Sequence, residues 1–263
     1  MRPYWAVLNA RIRILLQYRA AALAGFVTQL FWGGIRVMVF VAFYESTTAA
    51  QPIALEDTIS YLWLTQALLI LLPFRLDPEL RAMVRDGSIA YELARPTDLY
   101  WFWFCRLVAA RAAPAMLRAV PLYAIALALF GLGLPPSVPA VLAFAASVLG
   151  ALLLSASISV LMTISLMWTI SGDGLSRLLS IVTMFLSGSF VPLPLFPEWA
   201  QPALTALPFR GVMDTPFRLY LGHLPATSVL PAIGHQLLWT ALLVMAGRII
   251  LARGITRLVV QGG

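Results

Sequence analysis

Two histidines, one cysteine and eleven carboxylates are all that 263 residues offer for metal binding, nucleophilic attack or proton transfer. Their spacing suits none of these. His223 and His235 cannot assemble an imidazole-rich metal site, and Cys105 alone can neither close a disulfide within the chain nor found a cysteine cluster. No G-x-x-x-x-G-K-[ST] phosphate loop, no Gly-x-Ser-x-Gly elbow and no His-Glu-x-x-His pair occurs, and the apolar runs lack the clustered carboxylates of proton-coupled pumps. The expectation is a chain with no catalytic residue, no cofactor site and no metal site of its own.

The polar groups that remain sit in three settings. Arg36 follows GGI inside an apolar run, about sixteen residues beyond Arg19 and so on the order of 24 Å from that end of the run. At that depth snorkelling to the far interface or pairing between helices costs less than a charge held mid-bilayer, with a place on a transport path as the second reading. Gly33 and Gly34 before it allow a neighbouring helix to approach. Ser155, Ser159 and Thr163 recur every four residues, a face for close packing or hydrogen bonding across helices, or else a polar lining. The third setting is residues 75 to 98, RLDPELRAMVRDGSIAYELARPTD, which carry nine of the chain's twenty-nine charged side chains between two long apolar stretches.

The surrounding chain explains why these settings differ. It is 61% hydrophobic and 11% charged, with a net charge of +7, so most of it belongs in lipid. An all-α membrane protein is expected, with six transmembrane helices at about 20–44, 58–74, 100–131, 139–168, 176–192 and 226–250. The second and fifth are short, and Pro114 and Pro121 predict a kink in the third. Residues 1–19 alternate arginines with Trp5, Leu8, Ile12 and Leu15, the pattern of an amphipathic helix in the membrane interface, and no removable leader is expected. Fifteen of eighteen arginines fall at one side of this map, including those at 1–19, 75–98, Arg177 and the C-terminal end, which places both termini in the cytoplasm. The basic charge therefore reports topology and headgroup contact, not nucleic acid.

Within the loop, Asp77 is placed to cap a helix opened by Pro78 and Glu79, Gly87 breaks it, Ser88 opens a second through IAYELA, and Pro96 ends that. Ile89 and Leu93 share one face of the second helix, with Glu92 and Arg95 elsewhere. By itself this pattern serves a solvated connector or a docking element equally. Further on, residues 193–225 interleave six prolines with Phe196, Trp199, Phe209, Phe217 and Tyr220, which fits neither a continuous span nor a hydrophilic loop. Short broken helices dipping into the outer leaflet fit, with a simple interfacial aromatic belt as the alternative. Arg210, Asp214 and Arg218 are spaced to pair along one helical face. The turn at Gly172, Asp173 and Gly174 is too short for a second large docking element.

GSIAYELARPTDLY, LSGSFVPLPLFPEWAQPALTALPF and DTPFRLYLG resemble the permease subunits of ABC-2 type exporters, in the six-span branch often encoded as pairs beside one ATPase. The similarity runs over nearly the whole chain, 1–263, as a single transmembrane domain: an interfacial helix at 1–19, a cytoplasmic coupling loop at 75–98 and an outer re-entrant segment at 193–225. The resemblance implies that Arg85, Gly87, Ile89, Tyr91, Glu92, Leu93 and Arg95 dock on the ATPase, with Ile89 and Leu93 as apolar anchors. It implies that Pro194, Phe196, Pro197, Trp199, Pro208 and Phe209 lie in helices closing the outer end. Arg36, Ser155, Ser159 and Thr163 remain pathway or interface candidates. The implied partners are an ABC ATPase in two copies, a second related permease or a second copy of this chain, and membrane lipid. ATP and magnesium belong to the ATPase, and the setting is the bacterial inner membrane. Export of a drug, hydrophobic cation or lipid-like compound is the function expected. A membrane enzyme acting on lipid-linked substrates and a non-transporting scaffold are the alternatives.

Overall fold

Helix α1 (Arg2–Gln17) and helix α2 (Arg19–Ser46) open the computed structural model, which describes residues 2–17, 19–74, 76–168 and 173–256. Then come α3 (Leu55–Ala67), α4 (Pro78–Arg85), α5 (Ile89–Leu93), α6 (Leu99–Leu129), α7 (Val138–Ser165), α8 (Asp173–Leu186), α9 (Gln201–Ala206), α10 (Asp214–Tyr220) and α11 (Val229–Ile255), joined by 3₁₀ turns. No strand occurs among the described residues. Arg75, Gly172, Arg257 and Gly262 lie outside them.

Four helices are long and apolar enough to cross a membrane: Gly25–Ser46 within α2, α6, α7 and α11. The other two expected spans come out shorter than a crossing. Helix α3 has 13 residues, about 20 Å at 1.5 Å per residue, against a hydrocarbon core of about 30 Å. The second expected span is therefore not one helix to residue 74. Leu68 leaves helical geometry, Leu69–Leu71 form a 3₁₀ turn, and residues 72–74 and 76–77 are irregular. Irregular backbone beside lipid must find partners inside the protein. Here it does: Ser155 of α7 donates to the Leu71 carbonyl, and Ser180 of α8 donates to that of Pro73 at 2.6 Å. Helix α8 has 14 residues and ends at the Gly188 turn, whose φ of +85° suits glycine.

Helix α7 is the central post. Half of its most apolar window is buried, against 11–17% for the other three long helices. One cluster forms around its middle, joining Leu154 and Ile158 to Tyr61, Trp63 and Leu64 of α3 and to Met213 and Phe217 at α10. A second forms around its C-terminal half, joining Val160 and Ile164 to Leu80, Ile89, Trp103, Phe104 and Leu251. Within lipid, helices gain little from hydrophobic burial and associate through close packing and hydrogen bonds instead. Gly33 shows the packing requirement, since a Cβ there would stand 2.6 Å from the Trp63 ring. Gln236 shows the hydrogen-bonding one: from α11 it donates to the Ser147 carbonyl of α7 at 2.9 Å and to the Gly211 carbonyl at 2.7 Å. Pro114 and Pro121 both lie inside an unbroken α6.

Candidate functional site

Two aspartates bracket the charged loop, and each does two jobs. Asp77 caps α4, accepting from the backbone N–H of Glu79 at 3.0 Å and of Leu80 at 3.1 Å, while pairing with Arg106 of α6 at 3.1 Å. Asp98 caps α6, accepting from the Trp101 N–H at 3.0 Å, while pairing with Arg248 of α11 at 3.0 Å. The loop is thus clamped at entry and exit to arginines of spanning helices. Glu79 adds a third tie, bridging Arg106 to Arg11 of α1, the latter at 2.7 Å. The Arg11 guanidinium, reinforced by Arg106 against the effect of partial burial, holds the Glu79 carboxyl below its ordinary range. Tyr4 of α1 accepts from the Asp98 N–H at 2.9 Å, so α1 braces both ends of the loop.

Between the clamps, Gly87 takes a φ of +79°, which turns α4 into α5 at little steric cost. Ser88 precedes α5 without capping it through its side chain; the Asp86 carboxylate accepts from the Ser88 N–H at 2.8 Å instead. The docking residues expected from sequence then divide. Ile89 is 2% exposed and packs with Leu80 in the second core cluster, so it is not available to a partner while that cluster is intact. Glu92 is also buried and accepts from Arg95 at 3.1 Å, which removes it from an exposed rim. The outward face is carried by Tyr91, 76% exposed, Leu93, 38% exposed, and the exposed Arg85 and Arg95. The apolar pair assigned to one face from spacing is split because a helix of five residues gives its ends to different neighbours.

The hydroxyl face of α7 has a partner that the spacing could not name. Arg111 of α6 donates to Ser155 Oγ at 2.9 Å, to Ser159 Oγ and to the Leu107 carbonyl at 3.0 Å. Ser155 passes the network on to Leu71, so Arg111, the α7 hydroxyls and the broken end of α3 form one buried polar unit. Thr163 stays outside it, bonding the Ser159 carbonyl of its own helix at 2.9 Å. Arg36 of α2 bonds to the segment that follows α8. It donates to the carbonyls of Ser189 and of Phe190, the latter at 2.9 Å, just past the end of α8 where carbonyls lack helical partners.

The proline-rich segment also divides. Phe196 packs in a small satellite cluster with Leu193, Ala200 and Leu204, beside the half-buried Pro194, the exposed Pro197 and Trp199, 83% exposed. Pro208 is buried and Phe209 packs against the main core. Helix α10 is the seated part: Phe217 meets Tyr61 edge to face at 5.0 Å, and the Tyr61 hydroxyl donates to the Asp214 carboxylate at 3.2 Å. Asp214 and Arg218 stand 3.9 Å apart on α10, whereas Arg210 lies in the preceding 3₁₀ turn and off that face. Tyr123 donates to Tyr220 at 2.6 Å and Tyr220 to the Gly133 carbonyl at 2.8 Å, fastening the α6–α7 turn to α10.

Two cavities adjoin these networks. An almost wholly apolar cleft of about 560 Å³ lies between α3, α6 and α7, lined in part by Leu64, Leu68, Val120, Phe144 and Tyr220. A larger one, about 840 Å³, lies between α4 and the start of α8.

A family model described as ABC-2 family transporter protein matches residues 30–262, from within α2 to past α11, leaving α1 outside the match. A search of curated proteins gives no match. Long apolar helices in this arrangement and a match over most of the chain make it a multi-pass membrane protein and a permease component of an ABC transporter: it belongs to the ABC-2 transporter family.

Proposed function

We propose that the chain is the permease subunit of an ATP-driven exporter that moves a hydrophobic or amphiphilic compound out of the cytoplasm or inner leaflet. It crosses the bacterial inner membrane six times with both termini cytoplasmic, α3 and α8 completing their crossings through the irregular backbone that follows each. It pairs with a related permease or a second copy above two copies of an ABC ATPase, where ATP and magnesium bind. The observation that carries this reading is the division of the loop: Leu80 and Ile89 are seated in the core beside Trp103 and Leu251, while Tyr91 and Leu93 face outward. A force applied at Tyr91 and Leu93 reaches α6 and α11 through packed side chains and through the Asp77–Arg106 and Asp98–Arg248 pairs. Rigid-body transmission of this kind needs a stiff element between motor and spans. The apolar cleft favours a cargo with a large hydrophobic part.

The test is co-expression with candidate ABC ATPases from the same genome, followed by reconstitution into liposomes. ATP-dependent movement of at least one member of a panel of amphiphilic dyes, hydrophobic cations and lipid analogues, with stimulation of hydrolysis by the same compound, is expected. A complex whose hydrolysis no panel member alters and which moves none of them would contradict the export reading.

A further inference from the structure

We propose that the cavity between α4 and α8 binds the phosphate headgroup of an anionic lipid. Helix α4 sorts its charges by side. Asp77 and Glu79 are engaged by Arg106 and Arg11, toward α6 and α1, whereas Arg81 and Arg85, four residues apart and so on one face, line the cavity. Arg177 of α8 lines the same cavity, with the Ser176 hydroxyl beside it. Three guanidiniums from two elements thus converge on a space of about 840 Å³, within the usual size range of small-molecule sites. Ser176 and Arg177 also belong to the first turns of a 14-residue helix, whose N-terminal end carries partial positive charge.

Arg81 and Arg85 each interact within the chain as well. Each guanidinium has five N–H donors in a planar fork, so it can hold a phosphate oxygen alongside another acceptor. The remaining lining separates a lipid from a soluble anion as the occupant. Phe74, Leu76 and Pro78 give the cavity an apolar side, and Phe74 belongs to the irregular stretch that follows α3 and is held by Ser180 of α8. Phosphate recognition next to an apolar wall suits an amphiphile, and basic pockets between helices at the membrane surface hold anionic headgroups in this way.

The measurement uses the purified permease alone, in detergent, by native mass spectrometry with phosphatidylglycerol, phosphatidylcholine and inorganic phosphate as probes. No ATPase is present, so the result stands apart from whether one docks at α5. One phosphatidylglycerol should bind per chain with a preference over phosphatidylcholine of about tenfold or more, falling as salt is raised. Arg81→Gln with Arg177→Gln should bring the two lipids to within about twofold, and Arg81→Lys with Arg177→Lys should retain most of the preference. If the glutamine pair does not fold, the salt titration of the unaltered chain decides. Persistence of bound lipid in millimolar inorganic phosphate supports the lipid assignment, whereas displacement gives the site to a soluble phosphate and overturns it. Equal binding of both lipids by the unaltered chain, or an unchanged preference in the glutamine pair, also overturns it.

Discussion

The two broken regions of this permease, residues 76–98 and residues 187–225, are built from similarly short helices but are held by opposite means. The first is clamped at its edges by ion pairs, Asp77 with Arg106 and Asp98 with Arg248, and presents Tyr91 and Leu93 outward. The second is held through buried Met213, Phe217 and Tyr220, with hydroxyl bonds from Tyr61 and Tyr123, the Gln236 amide on Gly211 and the Arg36 guanidinium on Phe190 as its ties to the rest of the bundle. A handle needs a fixed base and a free face. A seal needs a filled interior. On the proposed function, the difference teaches that a segment meeting another protein is fixed by ion pairs at its edges, while a segment packed into its own bundle is fixed by large buried side chains.

Breaking the seal should cost most. Phe217→Ala removes a fully buried ring that meets Tyr61 edge to face and is expected to destabilise the chain by about 3–5 kcal/mol. In a background with Cys105→Ser, a cysteine at Phe209 should pass from slow to rapid reaction with a charged thiol reagent when Phe217→Ala is added. Breaking the handle's base comes next. Arg106→Ala strands Asp77 without its buried partner, at about 3 kcal/mol, the low end for such pairs because the half-exposed Glu79 admits water. Protease should then cut at 86–88 while the outer segment stays protected, which would separate the two regions as independent units.

A smaller effect sharpens the comparison by pH. Glu79 has its carboxyl held below its ordinary value by Arg11, so the tie between α1 and α4 contributes stability above the unfolded carboxyl's range near 4.5 and loses it as pH falls through the lower folded value. Spin labels at Asn9 and Ala82 should therefore keep their separation from pH 7 to 5 and move apart on further acidification. In the outer segment burial holds the Asp214 carboxyl above its ordinary value, at about 6, so a change between labels at Gln201 and Leu224 should set in at higher pH than the one between Asn9 and Ala82.

Much of this was readable in the residues. The four long helices follow from apolar runs, the start of α4 from Asp77 and Pro78, and the bend from Gly87. The spacing of Ser155 and Ser159 announced a polar helix face but not Arg111, which reads in sequence as one more basic residue near the start of a span. The break after Ala67 was hidden because Leu68 to Leu72 carry the apolar run straight through the point where the helix ends. Its irregular backbone is permitted by Ser155 and Ser180, more than eighty residues further along the chain. The inward turn of Ile89 was hidden for a related reason: five residues are too few for periodicity to reveal a buried face, and Leu80 and Trp103 decide it from other helices. In both places local sequence proposes and distant side chains settle the outcome.

The central claim is that α5 is a rigid handle whose outward face docks the ATPase, and the most direct measurement compares two substitutions on its two faces. Tyr91→Ala with Leu93→Asp should leave membrane insertion unchanged and stability within about 0.5 kcal/mol of the unaltered chain, since both side chains are exposed, yet abolish recovery of the co-expressed ATPase on affinity purification. Ile89→Asp, which buries a charge in the second core cluster, should lower the melting temperature itself. Full recovery of the ATPase, with normal transport, by the Tyr91 and Leu93 variant at matched expression would contradict the account and leave the loop a solvated connector.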